Sequence, residues 1–228
     1  MKILLTLIAL FTTGSAWAMD DDPMILKGMI KHLEHSNSSD GETSMRWNAQ
    51  MWLGNTLNKL WIKSEGEHQD GITQEQKQQV LFNRALLPFW DGQVGIAAEK
   101  QENLADKTLL VLAIHGTAPY FIETLTSVFI DDKGHSSVHL KLGQEWMLSQ
   151  RLGLEPEMEL VAHSHRDEQH QIGSGLSQWQ AGLRLHYQAR RELAPYIGIE
   201  GLRNLGDTER LRNDRGHWST AIGISAWF

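Results

Sequence analysis

The chain has 228 residues, no cysteine and a formal net charge of −7, with eleven histidines and eight methionines. An acidic chain of this kind is a poor nucleic-acid binder and a reasonable attractor of cations, and the missing cysteine excludes a disulfide-built fold. Past the first twenty residues no apolar run reaches helical membrane length, which excludes a helical membrane protein but leaves a β-barrel open, because barrel strands hide their apolar residues in alternation.

In chain order, residues 1–18 read as an export signal. Lys2 supplies the positive start, Ile3 to Phe11 the short apolar core, and Ala16-Trp17-Ala18 the small-residue cleavage site, so that Met19 is expected to begin the mature chain. Residues 19–25 read as a short periplasmic tail and 26–228 as one all-β domain. Period-two alternation with turn punctuation predicts strands at 26–35, 44–53, 57–67, 76–86, 92–101, 107–117, 120–130, 136–148, 156–166, 176–190, 194–204 and 217–228. This is a closed antiparallel transmembrane β-barrel of about twelve strands, with ten the alternative if the weakly patterned first segment is not a strand. The last strand alternates Trp218, Thr220, Ile222, Ile224, Ala226 and Phe228 against Ser219, Ala221, Gly223, Ser225 and Trp227. Short connections are expected on the periplasmic side. The longer polar loops 36–43, 68–75, 102–106, 131–135, 167–175 and 205–216 are expected outside, with 149–155 the exception. Trp52, Trp90, Trp146, Trp179, Tyr187 and Trp218 lie near strand ends, where interfacial aromatic girdles form.

Charges within such strands must face the lumen, since they are costly against lipid. On this register Glu157, Glu159, His163 and His165 share one face of one strand, and His163 and His165 stand about 7 Å apart along it. That suits two ligands of one ion, neighbouring stations on a path, or simply a polar wall. The preceding strand sets His139, Lys141, Gly143, Glu145 and Met147 beside them. With no thiolate, a soft or borderline metal such as copper, as Cu(I) or Cu(II), would use imidazole, thioether and carboxylate. The candidate metal ligands are therefore His163, His165, Glu159, His139, Glu145 and Met147. Glu65, Glu67 and His68 at an outer strand end, with Glu99, Glu123, Glu157 and Glu200, would form a cation-attracting lumen and rim, or else pair with Arg84, Arg184 and Arg203. Met24, Met29, His32 and His35 make a further candidate at the N-terminal edge, and His170 and His217 are expected to be exposed in outer loops. No serine stands in a G-x-S-x-G context, so an enzyme is not expected. A structural or enzymatic barrel without metal specificity is the alternative.

Specific motifs resemble a family. Asn58-Lys59-Leu60-Trp61-Ile62-Lys63-Ser64-Glu65-Gly66-Glu67 is similar to a signature of the copper-resistance protein B (CopB/PcoB) family. So are Trp90-Asp91-Gly92-Gln93 with Gly95, Gly116-Thr117-Ala118-Pro119-Tyr120, and Gln150-Arg151-Leu152-Gly153-Leu154-Glu155-Pro156. The series ends with Gly173-Ser174-Gly175-Leu176-Ser177, Gly182-Leu183-Arg184-Leu185-His186-Tyr187 and Arg191-Glu192-Leu193-Ala194-Pro195-Tyr196-Ile197-Gly198. The resemblance implies a monomeric outer-membrane barrel embedded in lipid, contributing to copper resistance and encoded with periplasmic copper-handling proteins. One departure is visible. Many members carry a long Met- and His-rich extension before the barrel, whereas here Met19, Met24, Met29 and His32 are its only obvious counterparts.

Overall fold

The computed structural model describes residues 22–69, 71–102, 106–168 and 170–228. The predicted signal segment and Met19 lie outside the described residues. The strands are β1 (Ile25–Ser38), β2 (Thr43–Gly54), β3 (Asn58–Gln69), β4 (Ile72–Leu87), β5 (Trp90–Gln101), β6 (Lys107–Ala118), β7 (Ile122–Ile130) and β8 (Ser136–Gly143, resumed at Trp146–Met147). They continue as β9 (Leu152–His163), β10 (Gly175–Tyr187), β11 (Leu193–Asn204) and β12 (Trp218–Trp227). Each pairs antiparallel with its sequence neighbour, and β12 pairs with β1 from Met29↔Trp227 to Ser38↔Ser219. The sheet is thus a closed twelve-stranded barrel, with no unpaired edge. Gly28 and Phe228 exchange backbone hydrogen bonds of 2.8 and 3.0 Å at the seam.

Alternation in sequence becomes alternation in space. On β6, Leu110, Leu112 and Ile114 are exposed on the outer surface, while Leu109, Val111 and Ala113 are buried inside. On β12, Trp218, Ile222 and Ile224 point out, while Ser219 and Ala221 are buried. The outward apolar set is what a bilayer requires, because hydrocarbon satisfies it while the closed ladders pair the backbone within the sheet.

Several expected boundaries move, each for a physical reason. The first segment is a full strand, not a doubtful one. A bulge sets two residues, Lys31 and His32, against one on β12, and both line the lumen. The expected loops 36–43 and 68–75 shorten: β1 runs to Ser38, β2 starts at Thr43, β3 runs to Gln69 and β4 starts at Ile72, because solvated polar residues continue the ladders past the apolar band. The expected strand 136–148 breaks at Gln144 and Glu145. Pro156 lies opposite that break, between the β8–β9 pairs Glu157↔Gly143 and Leu154↔Trp146, and has no N–H to give the ladder. β9 starts earlier than expected, which removes 149–155 as the exceptional long turn. It also ends at His163 rather than continuing to 166.

Three side chains lie on the opposite face from the one expected. Trp52 is not part of a lipid-facing girdle: it packs inside against the buried cluster, 6.2 Å from Trp61 between ring centroids. Arg84 lies on the outer face of β4 and is exposed, so it pairs with none of the lumen acids. Arg203 is likewise exposed.

Candidate functional site

The lumen holds a cavity of about 490 Å³ lined by nine glutamates and seven lysines and arginines, together with His32, His115, His139 and His163. At the end bearing the longer loops it is capped. The helix α1 (Gly206–Arg212) lies over the 164–174 loop, where the buried Thr208 hydroxyl accepts the Gly173 N–H at 2.8 Å. Thr208, Arg212 and Ile172 contribute to the cavity lining.

The two sides of the lumen differ. Trp61, Leu81, Ala97, Leu109, Val111 and Phe129 form a buried apolar cluster on β3–β7. The facing wall is charged. Arg184 on β10 reaches Glu34 of β1 (Nε to Oε2, 3.2 Å), Glu157 of β9 (2.5 Å) and Glu200 of β11 (3.0 Å). Arg46 on β2 holds Glu34 at 3.0 Å and Glu200. The Tyr196 hydroxyl donates to Glu34 at 2.8 Å. Deeply buried charge is tolerated only when paired and hydrogen-bonded in this way.

Two further pairs cross the lumen between strands that are not neighbours. Lys141 on β8 lies 3.8 Å from Glu65 on β3 and 3.3 Å from Glu159 on β9. Lys31 on β1 lies 3.8 Å from Glu123 on β7. Lys77 adds Glu65 and Glu99, both at 3.9 Å.

The predicted metal ligands fall into three places. His139 and His163 come together, ring centroids 6.5 Å apart. His139 Nδ1 is 3.1 Å from Glu159 Oε1, and an ionised carboxylate only accepts, so Nδ1 carries the proton and Nε2 keeps its lone pair. Ser177, unpaired at a bulge in β10, spends its one proton on the Val161 carbonyl at 3.0 Å. Its oxygen therefore accepts the Nδ1–H of His163 at 2.9 Å, and again Nε2 is left with a lone pair. Glu159, expected as a ligand, is engaged by His139 and Lys141 and instead orients His139.

His165 separates from His163. The strand ends between them, and His165 stacks on His135 at the loop-end rim, centroids 4.5 Å apart. Glu145 and Met147 meet over Gly153 at the opposite end, where a Cβ on Gly153 would lie 3.1 Å from Glu145 Oε1 and 3.6 Å from Met147 Sδ. They do not line the cavity with His139. Among the described residues, no group of three or more His, Asp or Glu side chains is arranged to hold a metal ion.

Of the expected cation-attracting set, Glu65, Glu67, Glu99, Glu123, Glu157 and Glu200 all line the cavity. All but Glu67 have a Lys or Arg within 4.0 Å, so the lumen is close to charge balance rather than a bare acidic surface. His68 is absent from the lining and contacts Thr73 at 3.4 Å. The N-terminal set does not converge. Met24 is exposed, His35 faces outward, Met29 packs on the apolar cluster, and His32 turns in toward Glu157 at 3.6 Å. His170, expected to be exposed, is buried against Asp167 at 2.7 Å. Sequence reading missed Arg46, Glu34, Tyr196, Ser177, Asp131 and His135. The first four act through partners on other strands, which spacing along one strand does not reveal.

The model of the family described as "Copper resistance protein B precursor (CopB)" matches residues 24–228. Copper resistance protein B of Escherichia coli is 30% identical over 226 residues, covering 96% of this chain and 75% of that protein. A homolog from Pseudomonas syringae pv. tomato (strain ATCC BAA-871 / DC3000) is 29% identical over 224 residues, covering 96% and 76%. Among solved structures, the NanC porin (TM-score 0.57, 12% identity, 89% of this chain and 99% of that one) and the KdgM porin (TM-score 0.54, 9% identity, 88% and 99%) share the fold. So does the outer-membrane phospholipase A of Escherichia coli (TM-score 0.54, 9% identity, 88% and 92%). The matched residues include every strand of the barrel, and the chain is an outer-membrane β-barrel of the copper resistance protein B family.

Proposed function

We propose that this barrel contributes to copper resistance by binding copper ions on the inner wall of β8 and β9 and passing them along the lumen, without catalysing a reaction. The observation that carries the reading is the paired preparation of His139 and His163. Each lines the cavity with Nδ1 tied back to an oxygen and Nε2 left with a lone pair, the arrangement found in metal-ligating imidazoles. Imidazole takes either copper oxidation state. The family name supports copper rather than another metal. Binding would be modest, because conduction needs sites that release the ion. Export would use residues 1–18, and the barrel would act as a lipid-embedded monomer alongside periplasmic copper-handling proteins.

A second reading has its own support. The Lys141–Glu65 and Lys31–Glu123 pairs cross the lumen, and α1 caps one end, which favours a sealed copper-binding barrel. One experiment separates the two. Copper content is measured on membrane-extracted protein and copper flux on proteoliposomes, each for the native chain and for H139A/H163A. Loss of both signals in the double variant supports passage through this wall. Lost binding from a native barrel that never conducts supports the sealed form. Unchanged copper content in a folded double variant sinks the lumen site altogether.

A further inference from the structure

We infer that His135 and His165 form a copper(II)-capture site on the loop-end rim, with Asp131 as its positioning residue. The inference rests on the copper reading above but concerns different residues at a different height. His165 follows the end of β9, and His135 precedes the start of β8. The β8–β9 ladder runs through His163↔Ser137 to a Ser164 N–H bond to Ser136 O at 2.8 Å, so the next residues out, His165 and His135, stand opposite each other. Cross-strand neighbours at such a position have Cβ atoms about 4.5–5.5 Å apart. Their rings stack, centroids 4.5 Å apart and planes 11° from parallel.

The His135 ring is already prepared. Its Nδ1 lies 3.0 Å from Asp131 Oδ2. The other Asp131 oxygen accepts the backbone N–H groups of Lys133 at 2.9 Å and His135 at 2.8 Å, which fixes the carboxylate. A fixed carboxylate accepts the Nδ1 proton and leaves the Nε2 lone pair for a metal, the carboxylate–histidine–metal arrangement. Arg166, the nearest cation in sequence, is taken up by Glu168 at 3.1 Å. His165 is exposed and His135 partly so, and exposed side chains change rotamer within nanoseconds, so the small swing that brings two ring nitrogens onto one ion is unhindered in time.

Among the described residues no third side chain joins the two imidazoles as a metal donor, which leaves the remaining positions to water. Such a site binds weakly and exchanges quickly, which is what a first stop requires. His163 closes β9 two residues inward of His165 and lines the cavity. An ion released from the rim therefore meets His163 and then His139 without changing walls. Copper(II) fits this donor set because it accepts imidazole with water or carboxylate, whereas copper(I) favours thioether or thiolate.

The test uses the full chain in detergent and copper(II) alone as probe, read by electron paramagnetic resonance for nitrogen coupling and by equilibrium dialysis for affinity. Native protein should show a weak copper(II) population with nitrogen coupling. Placed on H139A/H163A, so that the lumen imidazoles contribute no coupling, H135A and H165A should each abolish it, and D131N should weaken it about 10- to 100-fold while keeping both nitrogens. H139A/H163A should retain it. Heat-modifiable gel mobility checks that each variant folds. Independently of any variant, bound copper(II) should protect His135 and His165 of the native protein from carbethoxylation. Rim variants that keep the signal, or rim histidines that copper leaves unprotected, overturn the inference, while flux through the lumen wall would still stand. A rim signal without copper flux in proteoliposomes keeps the site and removes passage instead.

Discussion

The β3–β7 side of the lumen and the side running from β8 through the seam to β2 differ in how they fill the same space. The first buries Trp61, Leu81, Leu109, Val111 and Phe129 as one apolar cluster, beside which Lys77 pairs with Glu65 and Glu99, and Glu65 and Glu123 reach lysines across the lumen. The second buries Glu34, Arg184 and Glu200, each of which is tolerable only because another strand supplies the opposite charge. His139 and His163 lie on the charged side, whereas His115 packs edge-on against Trp61 on the apolar one. An apolar wall gives a barrel its shape through dispersion and exclusion of water, and a charged wall gives it chemistry at the cost of dependence on exact partners.

The largest effect should come from removing the hub of the charged wall. Arg184→Leu leaves Glu34, Glu157 and Glu200 short of a guanidinium that three of them share. Breaking a buried pair by deleting one member costs about 3–5 kcal/mol. Urea unfolding of the refolded barrel should show a loss of that size. A loss below about 1 kcal/mol would mean that water enters and solvates the acids, and the contrast between the walls would then be one of composition only.

On the apolar wall, Leu81→Ala should cost about 2–5 kcal/mol, since Leu81 is almost fully buried and its neighbours cannot collapse onto the space. Copper binding should be unchanged in this variant. Copper lost together with stability would show that the two walls are mechanically coupled and would blunt the comparison.

Lys141→Met acts between the walls. It removes the bond to Glu65 across the lumen and frees Glu159 of one of its two partners. The lumen should become more negative and less obstructed, so planar-bilayer recordings should show cation conductance rising severalfold over the native protein, with little change in folding. Unaltered conductance would put the block elsewhere, with Lys31–Glu123 or α1 the next candidates.

Much of this arrangement was legible in the chain, and the part that was not has a common cause. Alternation is a local property, so β6 and β12 declare their two faces, and even β9 gives the correct inward set Glu157, Glu159 and His163. Bulges are nearly silent in sequence. Lys31 and Ser177 reach their places only because one extra residue shifts the face, and that shift is what sets the hydroxyl against His163. A strand end is also poorly marked, so alternation alone carries the lumen wall past His163 to His165, whereas the strand stops at His163 and His165 sits at the rim. The pairing of Lys141 with Glu65 and of Arg46 with Glu200 depends on strands meeting across a closed barrel, and no spacing within either strand encodes it.

The smallest predicted effect tests a tie between the two sides at the loop end. Lys107 begins β6, and its ammonium lies 3.2 Å from Asp167 in the loop that leaves β9. His170 lies 2.7 Å from the same carboxylate. Partial burial alone would raise the Asp167 pKa, but the His170 side chain and backbone N–H and the Lys107 ammonium outweigh it and hold the carboxyl below the ordinary aspartate range. A depressed carboxylate contributes its stability above the unfolded value, about 3.9, and loses it as pH falls through the folded one. The 164–174 loop should therefore keep its slow amide exchange from neutral pH down to about pH 4 and loosen only below that. Because both Lys107 and Asp167 are about one-third exposed, Asp167→Asn should speed loop exchange at neutral pH by no more than about 1 kcal/mol, leaving the exchange of β6 and β9 amides unchanged. Loosening that begins well above pH 4 would put the tether on a group other than the Asp167 carboxylate. A mutant loop as protected as the native one would mean that the Gly173–Thr208 bond to α1 holds the cap without help from the apolar side.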